Sequence, residues 1–173
     1  MEDQTTLLST VYDGWDGYNT SLIRAVGDLT PEQLAWRPGD GWRSVGEVAA
    51  HIALGRVEWF GRMGAPGCEE LAESIERAGW GEEKEGLVRL LAETWRMVEG
   101  TLNAWTVGDL AKTYLHKYQG KTYAVSRQWT IWRIMAHDIH HGGQITTMLA
   151  MQGVVPLELG ALGGHITEPA VVG

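Results

Sequence analysis

Cysteine occurs once in the 173 residues, at position 68. A lone Cys68 cannot form an internal disulfide, which excludes both a secreted disulfide scaffold and a cysteine-rich zinc site. Long apolar runs are missing too. None approaches the ~18 residues that a membrane-spanning helix requires, and the opening residues Met1 to Gln4 carry two acids and no basic leader region. The expectation is a cytoplasmic protein. Positive charge is also scarce: 14 Lys and Arg residues are scattered along a chain of net charge -8. That balance repels phosphate backbones and anionic lipid, so neither nucleic acid nor a membrane surface is an expected partner. Strand–helix alternation and internal repeats are absent as well, which argues against α/β and solenoid architectures.

What is present is helical periodicity, in a length that suits one domain with a core of its own. From Asp3 to Leu29, apolar residues recur at three-and-four spacing through Leu7, Val11, Trp15, Tyr18, Leu22 and Val26, which predicts one helix weakened but unbroken by Gly14 and Gly17. Thr30-Pro31 opens a short helical turn. Ser44-Val45-Gly46-Glu47 is a capping box that starts a second long helix, ended near Met63 by Gly61, Gly64, Pro66 and Gly67. Glu69 to Arg77 predicts a short connecting helix, and Glu82 to Leu102 a third long one. Thr113 to Tyr118 and Thr122 to Val125 flank Gln119-Gly120-Lys121 as a small hairpin. Ser126 caps a fourth long helix reaching Gln152, followed by a Gly-rich, irregular tail. The pattern predicts an all-α bundle with a minor hairpin.

Three of the six histidines crowd into HDIHHGGQ, His137 to Gln144. Residues four apart on a helix share a face, so His137 and His141 direct their rings into one space. Such a pair by itself is more often a polar helix face than a metal site. A third ligand has to come from elsewhere, and the candidate is His51, isolated in the helix that the capping box opens. Three neutral imidazoles leave coordination positions open for water. His140, three residues from His137, lies on roughly the same face, and helical geometry alone does not choose between His140 and His141.

Two flanking groups are candidate catalytic residues. Arg133, one turn before His137, can steer an anionic substrate with its bidentate fork, or can pair with Asp138 or Glu47. Glu47, one turn before His51, can orient an imidazole or act as a base, although its capping role already accounts for it. Cys68, in a predicted Gly-rich loop, reads as a bystander. His116 in the hairpin and His165 in the tail read as surface or packing residues, with a folded-back tail as the alternative for His165. Of the nine tryptophans, Trp36, Trp42, Trp59, Trp129 and Trp132 lie nearest the candidate ligands in sequence, and most suit packing, with one or two lining a pocket.

Three stretches carry a family likeness: LTPEQLAWRPGDGWRSVGEVAAHIA (Leu29 to Ala53), TYAVSRQWTIWRIMAHDIHHGGQI (Thr122 to Ile145) and TMLAMQGVVP ending at Pro156. Their order and spacing resemble the DinB/YfiT-like metalloenzymes. The resemblance implies an up-down-down-up four-helix bundle over residues 1–156, with the hairpin before the last helix and a tail over 157–173. It implies a divalent metal (Zn, Ni, Fe or Mn) held by His51, His137 and His141, with His140 in a supporting or interhelical role. Similar proteins include bacillithiol and mycothiol S-transferases and the metal-binding part of a mycothiol-dependent maleylpyruvate isomerase. The implied activity is transfer of a low-molecular-weight thiol to a small-molecule electrophile. Metal-dependent hydrolysis and a non-catalytic, metal-binding stress-response module are the alternatives; independently of the resemblance, bundles with an exposed apolar stripe often pair symmetrically, so a homodimer is expected. The family commonly carries Arg-Gly before the Gln, whereas this chain reads His141-Gly142-Gly143-Gln144 and lacks that cation.

Overall fold

The computed structural model describes residues 4–79 and 83–154. Its helices are α1 (Leu8–Val11), α2 (Trp15–Gly27), α3 (Pro31–Ala35), α4 (Val45–Arg62), α5 (Cys68–Ala78), α6 (Lys84–Ala104) and α7 (Arg127–Met151). Between α6 and α7 lie a 3-10 turn (Val107–Ala111) and the strands β1 (Thr113–Tyr118) and β2 (Lys121–Ser126). The protein is thus a helical bundle with a two-stranded antiparallel hairpin ahead of its last helix. No helix among the described residues is long and apolar enough to cross a membrane. The tail and His165 lie outside the described residues.

Local chemistry accounts for the boundaries. Ser44 accepts from the Glu47 amide while Glu47 returns to the Ser44 amide, a closed capping box at the start of α4. Thr30 and Gln33 do the same for α3, with Pro31 at its first position. Ser126 caps α7 through the Trp129 amide. The hairpin pairs Thr113 with Ser126 through Tyr118 with Lys121. Its two-residue turn, Gln119-Gly120, has positive φ at both positions (47° and 74°), the geometry that matches the twist of paired strands.

Two elements differ from the sequence expectation. The first helix is interrupted: Gly14 takes φ 92°, a conformation that glycine adopts without steric cost, and the chain turns between α1 and α2 although the apolar spacing runs on across the break. Cys68 is the first residue of α5 and is buried, so it does not sit in an open loop.

In the core, α4 packs against both α6 and α7, and α2 packs against α6. The buried stripe of α7 runs Ile131, Ile134, Asp138, Gly142, Ile145, Leu149, and that of α4 includes Ala49, Ile52, Ala53, Arg56 and Phe60. Both follow the helical repeat, and each carries one charged residue where an apolar one is the rule. Asp138 and Arg56 are 0% exposed. The histidines lie immediately beside these stripes, at the seam between α4 and α7.

Candidate metal centre

α4 delivers His51 to the seam, and α7 delivers His137 and His141 one turn apart. Each offers a ring nitrogen within 4.8 Å of the others. Their ring centroids are 4.9 Å (His51–His137), 4.8 Å (His51–His141) and 4.4 Å (His137–His141) apart. The backbones approach closely enough that a Cβ on Gly55 would meet His137 Cε1 at 3.0 Å, so glycine at 55 leaves room for that imidazole. His140, the rival on sequence grounds, stays outside the group, exposed on the far side of His141.

His137 Nε2 lies 3.2 Å from His51 Nε2. Two nitrogens bound tetrahedrally to one ion, each at about 2.0–2.1 Å, stand roughly 3.3 Å apart, so the separation suits a shared cation as well as a hydrogen bond. The protonation states suit a cation too. Burial, with Arg43, His137 and His141 adding charge repulsion, lowers the His51 pKa to about 4. Burial also lowers that of His141, against an opposing hydrogen bond to Gln144. Neutral imidazole is the form that ligates.

Neighbouring groups select which nitrogen faces inward. Gln144 Oε1 lies 2.7 Å from His141 Nδ1; an amide oxygen only accepts, so Nδ1 carries the proton and Nε2 is left with its lone pair. The Gln144 amide nitrogen reaches His140 Nε2 at 3.3 Å, which places His140 at the outer end of this chain. For His137 the neighbour is Asp138. His137 Nδ1 and Asp138 Oδ1 are both buried without a hydrogen-bond partner and stand 3.8 Å apart. An Nδ1 proton directed at that carboxylate leaves Nε2 for a ligand. This donor set, three imidazoles with the His141 tautomer set by Gln144 and a carboxylate standing behind His137, fits a divalent metal ion.

Asp138 is itself anchored. Its Oδ2 accepts from Arg56 Nε (2.9 Å) and from Trp15 Nε1 (3.2 Å), and its backbone carbonyl accepts from Tyr18 Oη (3.1 Å). Arg56 Nη1 donates to Asn19 Oδ1 at 2.7 Å. Residues of α2, α4 and α7 thus form one buried polar network behind the histidines. Sequence reasoning missed it, although Arg56 and Asp138 each fall in phase with an apolar stripe.

Two open grooves meet at the centre. One of about 510 Å³ is lined by Arg37, Trp42, Arg43, Glu47, His51 and Leu54 among others. The other, about 810 Å³, takes in Trp42, Arg43, His140, His141, Gln144 and Met148. Trp42 and Arg43 border both. Arg43 has no hydrogen-bond or ion-pair partner among the described residues, and its charge acts on His51 and His141. Glu47 lines the first groove with its carboxylate divided between the Ser44 cap and Arg37 (3.3 Å). Arg133 lines a separate groove with none of the three histidines, and pairs with neither Asp138 nor Glu47.

Fold and site together define a helical bundle with a three-histidine group able to hold a metal ion at the seam of two helices. The family model of the DinB superfamily matches residues 19–145. The chain belongs to the DinB superfamily. Its fold is similar to that of a crystallographically solved DinB-like protein from Bacillus cereus ATCC 10987, with a TM-score of 0.55 and 19% identity over 91% of this chain and 93% of that one. No curated protein matches the sequence.

Proposed function

We propose that the protein is a divalent-metal-dependent enzyme that transfers a low-molecular-weight thiol to a small electrophile. The observation that carries this reading is the convergence of three imidazoles, of which His51 lines one groove and His141 the other. His51, His137 and His141 would hold the ion and leave coordination positions open to the grooves. A divalent metal held by these residues would lower the pKa of a thiol or water and so supply a nucleophile at neutral pH.

The remaining roles fall to the chain's own groups. Gln144 orients His141 and fixes its tautomer, and the Asp138 carboxylate stands behind His137 Nδ1. Arg43, unpaired at the junction of the grooves, suits a carboxylate on an anionic thiol cosubstrate, since guanidinium holds carboxylate in a bidentate fork. Trp42, 61% exposed beside it, offers an apolar wall. Cys68 is 5% exposed and burial raises its thiol to about 11, so the nucleophilic sulfur has to arrive with the cosubstrate. Zinc, nickel, iron and manganese all accept imidazole, so metal choice belongs to the test.

The test loads purified protein separately with each metal and mixes it with a generic electrophile, 1-chloro-2,4-dinitrobenzene, and a panel of small thiols. Acceleration by at least tenfold over the uncatalysed rate, lost in His137→Ala, supports the reading. No acceleration with any thiol rejects it in favour of metal-assisted hydrolysis, read with p-nitrophenyl esters, or a non-catalytic metal site.

A further inference from the structure

A third groove, of about 790 Å³, opens farther along α4 and α7, where the hairpin leans on them. Its lining includes Trp59, Arg62, His116, Tyr123, Trp129 and Arg133, and none of the three clustered histidines. Trp59 comes eight residues after His51, roughly 12 Å along the helix axis at 1.5 Å per residue.

The two cations of this groove differ in one respect. Arg62 is satisfied: it pairs with Glu58 and donates to His116 Nδ1 at 2.8 Å. Arg133 is held by aromatic faces alone, its guanidinium carbon 4.9 Å from the Trp59 ring and 5.3 Å from the Trp129 ring. The two indoles meet edge to face at 6.2 Å. Among the described residues Arg133 has no hydrogen-bond acceptor and no carboxylate partner. Stacking fixes the plane of a guanidinium and leaves its N–H edge free, which is the arrangement that grips a carboxylate with two parallel bonds. The acid nearest at hand, Glu58, is already taken by Arg62. Around this cation Trp129, Tyr123 and Tyr118 are 43%, 43% and 57% exposed, ring surface that a flat ligand can cover.

The geometry points to a second ligand site here, for a planar aromatic carboxylate: the ring lies against Trp129 and Tyr123, and the carboxylate meets the free edge of Arg133. The rings supply apolar area and preferred stacking geometry, and the guanidinium supplies orientation and selection for charge. This site stands independently of the metal reading, because its lining shares no residue with the histidine cluster.

The test is calorimetric titration of the full-length protein, stripped of metal with chelator, with 2-naphthoate. The expected result is saturable one-to-one binding, at least tenfold tighter than that of the neutral 2-naphthalenemethanol or of acetate. Arg133→Gln weakens naphthoate at least tenfold with an unchanged far-ultraviolet spectrum, Tyr123→Ala on the exposed hairpin weakens it severalfold, and a His51→Ala/His137→Ala variant binds as the parent does. Absence of saturable binding, equal affinity for the neutral analogue, indifference to Arg133→Gln, or loss in the histidine variant each overturns the site.

Discussion

Asp138 and Arg56 are 82 residues apart in sequence and form an ion pair that no solvent reaches, with Arg56 Nη2 2.8 Å from Asp138 Oδ2. Removing one partner of such a pair leaves the other charge stranded in the interior, which costs about 3–5 kcal/mol. Asp138→Asn and Arg56→Met are each expected to lower unfolding free energy by that order in urea titrations. The Arg56→Met/Asp138→Asn double variant should lose less than the sum, because no lone charge remains. Single variants within about 1 kcal/mol of the parent would falsify the paired description. Asp138→Asn should also weaken metal binding roughly 10- to 100-fold, the usual effect of removing a carboxylate that orients a ligand imidazole.

Glycine at 142 makes room for Tyr18. A Cβ there would stand 1.7 Å from Tyr18 Oη and 2.9 Å from Cζ, displacing the hydroxyl that holds the Asp138 carbonyl. Gly142→Ala is therefore expected to destabilise by about 1–3 kcal/mol, as overpacking does. Tyr18→Phe in the same chain should restore part of the loss, since the ring carbon remains in the way. Gly143→Ala meets nothing within 4 Å and should instead stabilise by about 0.5–1 kcal/mol through backbone entropy. Thermal or urea unfolding of the four proteins decides between these signs.

The histidines are expected to separate by metal content. Alanine at His51, His137 or His141 should abolish stoichiometric metal, measured by elemental analysis after purification without an affinity tag, while the fold survives. Alanine at His140 should retain it, because this ring only ends the chain through Gln144. Gln144→Ala releases the His141 tautomer and should weaken binding about tenfold. Metal retained at full stoichiometry in His51→Ala would remove α4 from the site.

Cys68 gives a pH dependence of known sign. Its pKa is raised, first by burial and then by Glu70, so the folded protein holds the thiol protonated at neutral pH. Native alkylation by iodoacetamide should be very slow at pH 7.5 and rise about tenfold per pH unit until the thiol is half ionised at about pH 11, whereas the urea-unfolded chain reaches its midpoint about two pH units lower. Cys68→Ser should keep full metal content and any thiol-transfer rate. Rapid labelling at pH 7.5 would contradict the buried placement.

Much of this arrangement is legible in the sequence, for identifiable reasons. The capping boxes at Thr30 and Ser44 and the Ser126 cap are local chemistry, so the starts of α3, α4 and α7 follow from a few neighbouring residues. His137 and His141 share a face by helical arithmetic alone. The choice of His141 over His140 is not local: it depends on where α4 approaches, and only the packed pair of helices supplies that. The break at Gly14 is hidden because the apolar spacing continues on both sides of it. The pairing of Arg56 with Asp138 is not local either: it shows only once their partners, including Asn19 and Trp15 on another helix, are in place. The sequence position of Arg133 suggests a place near the histidines, yet side chains four apart on a helix sit one turn along its axis, and this turn is enough to put the guanidinium in the neighbouring groove.

The span between His51 and His137 has a consequence for folding. The two rings belong to segments 86 residues apart, and an ion gripped by both would cross-link the chain across the whole of α5, α6 and the hairpin. Both ligand segments have to be in their native places before the ion is held, so an ion that binds the native form alone stabilises the whole arrangement by mass action. Occupancy would then be felt in the melting of the entire bundle, and a chelator would act on this protein as a mild denaturant.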